Sequence, residues 1–224
     1  MPIGNLQDIS LRALELLEKA QLIIVEDYKT GKKMLDLLKI ALGTKDIIEL
    51  NEHNEQKEAG KIAESIILKY QKAALISDAG HPVVADPGLR LVQELIQFKV
   101  KINYIPGASS VIGALITAGL PVNHFHYSGF LPRQSKEREN RLRHLKSIKS
   151  TLIIMETPYR LPALIKSIKK IFYYRKPVVI CFELTTPQEY IFRGTLQEAA
   201  KKFMHKKCKN NFVFLIDNNI KKKK

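Results

Sequence analysis

Residues 73–88 read Ala-Ala-Leu-Ile-Ser-Asp-Ala-Gly-His-Pro-Val-Val-Ala-Asp-Pro-Gly. The apolar run 73–76 has the length of a buried strand, and the twelve residues after it include two glycines, two prolines and two aspartates. Open α/β sheets bind ligands in such loops, at the carboxyl ends of parallel strands, although similar clusters also form plain tight turns. The stretch contains neither Gly-x-Gly-x-x-Gly nor Gly-Lys-Ser. We therefore expect a ligand held by backbone groups and a carboxylate.

The alternation of apolar periods on both sides of this stretch predicts an α/β protein of two domains. Short apolar runs at 22–25, 73–76 and 102–105 alternate with helical patterns and predict a mostly parallel sheet. A second strand-to-helix turn, Pro106-Gly107-Ala108-Ser109-Ser110, opens another helix. Beyond Gly119-Leu120-Pro121 two neighbouring strands near the end indicate a mixed sheet. The predicted division is an N-terminal α/β domain at 1–119, a C-terminal α/β domain at 120–220 and a lysine tail at 221–224.

The composition favours a folded protein of a reducing compartment. The chain has 224 residues, of which 45% are hydrophobic, so it can bury a core. No stretch approaches the roughly 20 apolar residues that span a bilayer, and the start Met1-Pro2-Ile3-Gly4 lacks a secretory pattern. The two cysteines, Cys181 and Cys208, form no framework. We expect a cytoplasmic protein with no membrane partner and no metal, because no metal-ligand spacing is present.

The charge favours a polyanionic partner. Thirty-seven lysines and arginines against 22 acidic residues give a net charge of +15 and a pI near 9.7. A basic surface attracts a phosphate backbone without reading its sequence. A general lysine bias, with Lys221 to Lys224 as a solvated tail, is the alternative interpretation.

Several ordered motifs resemble one family over essentially the whole chain: the small-subunit ribosomal RNA ribose 2′-O-methyltransferases. These belong to the tetrapyrrole (corrin/porphyrin) methylase superfamily, the class III S-adenosylmethionine-dependent methyltransferases. The matching segments are Pro2-Ile3-Gly4-Asn5-Leu6, Glu26-Asp27, His53-Asn54-Glu55, Ser77 to Gly88, Pro106-Gly107, Gly119-Leu120-Pro121, Gly129-Phe130-Leu131-Pro132, Glu156-Thr157-Pro158-Tyr159-Arg160-Leu161, Glu183-Leu184-Thr185 and Arg193-Gly194-Thr195-Leu196.

The resemblance implies a fold, a cofactor and a substrate. It implies S-adenosylmethionine in a cleft between the two domains, a homodimer, and a methyl transfer to the ribose 2′-hydroxyl of a cytidine in 16S ribosomal RNA of the small subunit. The family's usual first strand precedes its Pro-Ile-Gly-Asn loop, whereas this sequence begins inside that loop, so we expect that strand to be missing. Two alternatives remain: a methylase of another substrate, such as a tetrapyrrole or another RNA, and a truncated non-catalytic RNA-binding remnant.

Candidate site residues follow from the same turns. Three carboxylates end predicted strands and are the candidate catalytic groups: Glu26, Asp27 and Glu156. We expect them to form the polar end of the site, and we assign no single base among them. Capping of a nearby helix or a local salt bridge is their alternative role. For Asp78, Ser109 and Ser110, capping of a turn or helix is an equally open role. The resemblance implies a cofactor-binding set: Pro2, Gly4, Asp78, Ala79, Gly80, Val83, Ala108, Ser109, Ser110 and Met155.

A basic helical stretch at 135–149 is the candidate RNA surface. Arg160 is expected near the presumed cleft, and its fork of N–H groups suits a phosphate. A solvated helix face is the alternative interpretation of such a run. The residues selected for RNA contact are Arg133, Arg138, Arg141, Arg143 and Arg160.

Overall fold

The structure is a computed structural model that describes residues 1–219, and its contacts divide the chain into two units. The units are Met1–Ser109 and Ser110–Lys224, so the division precedes the predicted boundary at 119/120. The reason is the helix Ser110–Ala118, which packs within the second unit, where Arg193 donates to the Thr117 carbonyl. The predicted lysine tail at 221–224 lies outside the described residues.

The first unit is built on a three-stranded parallel sheet. Its central strand, β1 (Leu22–Val25), pairs with β2 (Asp46–Glu49) on one side and β3 (Ala73–Leu75) on the other. A parallel strand that is covered on both faces reads as a continuous apolar run, and this is why Leu-Ile-Ile-Val has no polar position.

Helices cover both faces of this sheet. They are α1 (Leu11–Lys19), α2 (Tyr28–Leu37), α3 (Glu55–Lys69) and α4 (Leu89–Gln97). Leu22 and Ile24 pack with α3 and α4, whereas Ile23 and Val25 pack with α1 and α2, because successive side chains of a strand point to opposite faces.

The strand predicted at 102–105 is not formed. Ile102 and Tyr104 are exposed, and the segment has no ladder partner within residues 1–219. Carbonyl groups of this part of the chain instead accept hydrogen bonds from side chains at the start of α1. Arg12 Nη2 donates to Tyr104 O at 3.2 Å, and Ser10 Oγ donates to Pro106 O, just after the segment, at 3.4 Å. An apolar run becomes a strand only where an edge is available to pair with it.

The second unit contains a mixed sheet, as predicted. Its five strands are β4 (Phe125–Phe130), β5 (Thr151–Glu156), β6 (Pro177–Phe182), β7 (Tyr190–Thr195) and β8 (Phe212–Asp217). Their order in the sheet is β4-β5-β8-β6-β7. The pair β4–β5 is parallel, and the other three pairs are antiparallel.

Among residues 110–219, the second unit has four α-helices: α5 (Ser110–Ala118), α6 (Ser135–Ser147), α7 (Leu161–Ile171) and α8 (Leu196–Phe203). One continuous apolar core joins the last three of them to the sheet, through residues such as Leu145, Ile165 and Leu196. The helix α5 also contacts the sheet, where Thr117 Oγ1 lies 3.8 Å from Cys181 Sγ.

We predict opposite effects of alanine at two helical glycines of the first unit. A methyl group on Gly31 of α2 would lie 2.6 Å from Val25 Cγ1, so Gly31→Ala should destabilise by about 1–3 kcal/mol through overpacking. Gly60 of α3 is exposed with no atom within 4 Å of such a methyl, so Gly60→Ala should stabilise by about 0.5–1 kcal/mol. Urea unfolding of both variants measures the difference, and equal free energies of unfolding would contradict the close packing of α2 on β1.

Candidate functional site

Acidic side chains gather at the carboxyl edge of the first sheet. Glu26 directly follows β1, Glu49 ends β2, and Asp78 lies just beyond β3. The backbone N–H of Asp78 donates to Glu26 Oε2 at 3.4 Å. This contact between the ends of neighbouring strands places Glu26 and Asp78 side by side.

Asp78 has an unused acceptor in this cluster. Its Oδ1 atom is buried and has no hydrogen-bond partner among the described residues. Burial, together with the charges of Glu26 and Asp27, raises the pKa of the Asp78 carboxyl above its ordinary value. A buried carboxylate oxygen without a donor is costly, so this position suits a ligand that brings a donor or a positive charge.

Asp86 belongs to the same cluster, and the sequence-based selection omitted it. Burial, and then the charges of Glu26 and Asp78, raises the pKa of Asp86 to about 7, while the Met1 ammonium opposes the shift. A pKa displaced by burial and like charges marks candidate functional carboxylates. The signal in the sequence was the second Asp of the same glycine- and proline-rich loop.

The loop that carries Asp86 has an unusual backbone. Val83 and Ala85 have φ values of +74° and +68°, in the left-handed region where residues with side chains are strained. Gly88 has a φ of +119°, and a methyl group there would lie 2.8 Å from Leu75 Cδ2. Glu55 Oε1 holds the end of the loop by accepting from the N–H groups of Gly88 at 2.8 Å and Arg90 at 2.9 Å.

Several predicted cofactor residues lie around Gly80. Its N–H donates to the Met1 carbonyl at 3.1 Å, which brings Pro2 and Gly4 to this loop. A methyl group on Gly80 would lie 3.5 Å from Ile3 Cγ2 and 3.7 Å from Ala108 O. These are ordinary contact distances, so a side chain would have space. Glycine is favoured at position 80 because the backbone φ is +77°, a conformation that residues with side chains rarely adopt. Ala79, Gly80, Val83 and Ala108 thus share one region with Asp78.

The three remaining predicted cofactor residues are divided between the two units. Ser109 ends the first unit, and Ser110 begins α5 of the second. Met155 lies on β5, where its sulfur accepts from the Tyr127 hydroxyl at 3.2 Å.

Two of the three predicted catalytic carboxylates have local partners. Asp27 caps α2, and its Oδ1 accepts from Thr30 N and Oγ1, each at 2.8 Å, which lowers the pKa of Asp27. Glu156 is buried, with its Oε2 atom 3.0 Å from Arg160 Nη2. Burial outweighs that pairing and raises the pKa of Glu156.

The predicted RNA-contact arginines fall into two groups. Arg133, Arg141 and Arg143 are exposed. Arg138 is only 6% exposed and donates inward, to Ser167 Oγ at 3.0 Å and to the carbonyls of Pro132 and Arg133. Arg138 is therefore a structural arginine, because its helix position faces the core of the second unit.

Arg160 is also engaged within the second unit. Besides pairing with Glu156, its Nη2 donates to the carbonyls of Leu131 at 3.2 Å and Pro132 at 3.0 Å.

Within residues 1–219, no group of three or more His, Cys, Asp or Glu side chains is placed to hold a metal ion. No helix in the same range has the length and apolarity to span a bilayer.

The sequence matches a family model and named relatives over most of its length. Residues 1–200 match the family described as Tetrapyrrole (Corrin/Porphyrin) Methylases. The ribosomal RNA small subunit methyltransferase I of Halalkalibacterium halodurans is 38% identical over 221 residues, 99% of this chain and 75% of that protein. The protein of that name from Thermotoga maritima is 35% identical over 206 residues, 92% of this chain and 90% of that protein.

Solved structures support the same fold. A diphthine synthase superposes with a TM-score of 0.73 at 18% identity, over 96% of this chain and 86% of that one. A uroporphyrin-III C-methyl transferase from Thermus thermophilus, complexed with S-adenyl homocysteine, gives a TM-score of 0.62 at 17% identity, over 96% and 93%. The family resemblance of the motifs and the predicted fold class are thus confirmed. The chain belongs to the tetrapyrrole (corrin/porphyrin) methylase family, and within it to the ribosomal RNA small subunit methyltransferase I proteins.

Proposed function

We propose that this protein transfers the methyl group of S-adenosylmethionine to the ribose 2′-hydroxyl of a cytidine in 16S ribosomal RNA of the small subunit. Family membership confirms the prediction of a methyltransferase that uses this cofactor, and the relatives' names give ribosomal RNA as the substrate. The net charge of +15 favours such a polyanion over a tetrapyrrole, whose carboxylates are far fewer than the phosphates of a ribosomal RNA.

The observation that carries the cofactor assignment is the unpartnered Asp78 oxygen among other carboxylates. S-adenosylmethionine carries a positive sulfonium and a positive amino group, and an acidic site with a free acceptor suits both. In this proposal the Asp78 carboxylate accepts a hydrogen bond from a donor group of the cofactor. The backbone N–H and C=O groups of Ala79, Gly80 and Ala108 form hydrogen bonds with uncharged groups of the cofactor. Pro2, Gly4 and Val83 belong to the same proposal by their position, whereas Ser109, Ser110 and Met155 rest on the sequence resemblance.

When bound, the cofactor supplies an electrophilic methyl group, and the protein's main task is to align the two reactants. A ribose hydroxyl is a weak nucleophile, so a carboxylate that accepts its proton accelerates the transfer. Asp86 fits this task best, because its pKa of about 7 lies near the operating pH. Burial, and then repulsion by Glu26 and Asp78, keeps the pKa of Asp86 high. Asp27 and Glu156 are engaged in a helix cap and an ion pair.

The proposed RNA surface is formed by the exposed arginines before and along α6. Arg133, Arg141 and Arg143 are the members that we retain, with Arg143 held by Asn140 Oδ1 at 2.7 Å. Arg160 remains a candidate through the donors that its internal contacts leave over. Arg138 is left out because it is buried.

We also propose that the protein is cytoplasmic and that it forms a homodimer. Each unit exposes large apolar side chains that a second copy would cover, including Ile96 and Phe98 in the first unit and Ile116 in the second. Light scattering at micromolar concentration should give twice the chain mass of 25.6 kDa. A mass of one chain would reject the dimer.

Two variants should separate cofactor binding from RNA binding. Asp78→Asn should weaken S-adenosylmethionine binding by about 10- to 100-fold, the size of a charged hydrogen bond, and leave RNA binding intact. Arg141→Gln with Arg143→Gln should weaken RNA binding and leave cofactor affinity unchanged. Calorimetry and RNA anisotropy measure the two affinities, and mass spectrometry of 2′-O-methylcytidine in small subunits measures the reaction. Asp36→Asn, an exposed site on α2, is the matched control. Absence of cofactor binding and of methylation in the wild type would reject the proposed function.

Asp86 should control two pH dependences. Folding raises its pKa from 3.8 to about 7, so the folded protein holds a proton that the unfolded chain has released in that range. The free energy of unfolding should therefore fall as pH rises from about 4 to about 7, and Asp86→Asn should flatten this slope.

If Asp86 is the base, the wild-type kcat/KM should rise through about pH 7, and the variant should lose both the rise and most of kcat. A variant that changes the stability profile but retains the kinetic profile would leave Asp86 as a structural carboxylate only.

A further inference from the structure

The three helices α6, α7 and α8 form one layer on the sheet of the second unit. They share an apolar core with the strands, and α7 packs against both other helices. Lys170 of α7 joins the layer across its surface by an ion pair with Glu139 of α6 at 2.6 Å. The outer surfaces of α6 and α7 therefore adjoin.

The middle helix of this layer is strongly cationic. The sequence of α7, Leu-Pro-Ala-Leu-Ile-Lys-Ser-Ile-Lys-Lys-Ile, contains three lysines and no acidic residue. Lys170 is paired with Glu139, whereas Lys166 and Lys169 are exposed and form no ion pair within residues 1–219. Two uncompensated charges thus lie one turn apart on the outer face of α7.

A groove of about 510 Å³ lies beside these lysines, between α7 and the end of α8. Its apolar part is formed by Pro162, Ala163 and Met204, and its remaining lining side chains are all basic or imidazole groups. No carboxylate occurs among the described residues that line it: Pro162, Ala163, Lys166, Lys169, Lys170, Met204 and His205.

We propose that this groove is a second RNA-contact site, which receives an unpaired nucleotide with its base on the apolar part and its phosphates on Lys166 and Lys169. The inference rests on the proposed function, because ribosomal RNA is the polyanion that the protein must hold. Charge complementarity favours RNA: lysines act as point charges for phosphate, and single-stranded RNA combines phosphates with flat bases that pack on apolar surfaces. The site adds a contact beyond the arginines of α6, on the same helix layer.

The test uses a fluorescein-labelled single-stranded RNA of about 12 nucleotides, and anisotropy at several potassium chloride concentrations. Lys166→Gln with Lys169→Gln should weaken binding and lower the slope of log affinity against log salt by about 1.4, or about 0.7 for each lost phosphate contact. Ala163→Leu, at an exposed helix position, should fill part of the groove without offering a ring for a base to stack on, and should weaken binding with an unchanged slope. Lys57→Gln with Lys69→Gln, two exposed lysines of α3 outside any ion pair among residues 1–219, is the matched control.

The outcomes separate this inference from the proposed function. If the wild type binds and methylates small subunits while the groove variants behave like the control, the groove site is rejected and the proposed function is retained. If the wild type binds neither cofactor nor RNA, both are rejected. If the groove variants lose affinity for a labelled polyglutamate peptide but not for RNA, the groove binds an acidic protein segment and the RNA assignment is rejected.

Discussion

The strand Leu22–Val25 is at most 1% exposed along its whole length, and the first unit is arranged around this burial. An apolar strand without a solvent face requires helices on both sides of its sheet. With both faces covered, polar groups and ligands find access at the ends of the strands, where the loops emerge. Glu26, Asp78 and Asp86 are all found at the carboxyl end. The acidic site is thus a consequence of how the apolar core of this unit is closed.

Crowding of carboxylates at this edge opposes their ionisation. Burial and mutual repulsion raise the pKa values of both Asp78 and Asp86. An arrangement of this kind is unfavourable when the site is empty of positive charge, and it becomes favourable when a cation is bound. The strained backbone at Val83 and Ala85 belongs to the same loop, and the contacts of Glu55 hold that loop in place. The carboxylates with raised pKa values and the strained backbone therefore lie in the same segment, residues 78–88.

In the second unit, basic residues serve two different purposes. Arg138 and Arg160 turn inward, where their planar guanidinium groups satisfy the carbonyls of the Leu131–Arg133 turn and, for Arg160, the buried Glu156. The lysines of α7 face outward and, apart from Lys170, have no acidic partner among the described residues. Arginine suits the internal role because it bonds several acceptors at fixed angles, whereas lysine keeps its ammonium in water. Net charge alone cannot tell these two roles apart.

The sequence by itself determined the family, the two-unit α/β architecture and the elements whose apolar pattern is local and strong, such as β1 and the strand Thr151–Glu156. It also located the loop 77–88 and most of the residues gathered around Gly80. Only the tertiary structure decided that 102–105 is not a strand, that Arg138 is buried, and that Asp86 shares the environment of Glu26 and Asp78. The physical reason is the same in each case. Periodicity is a property of neighbouring residues, whereas strand pairing, the burial of a charge and a pKa depend on atoms that the chain brings together from distant positions.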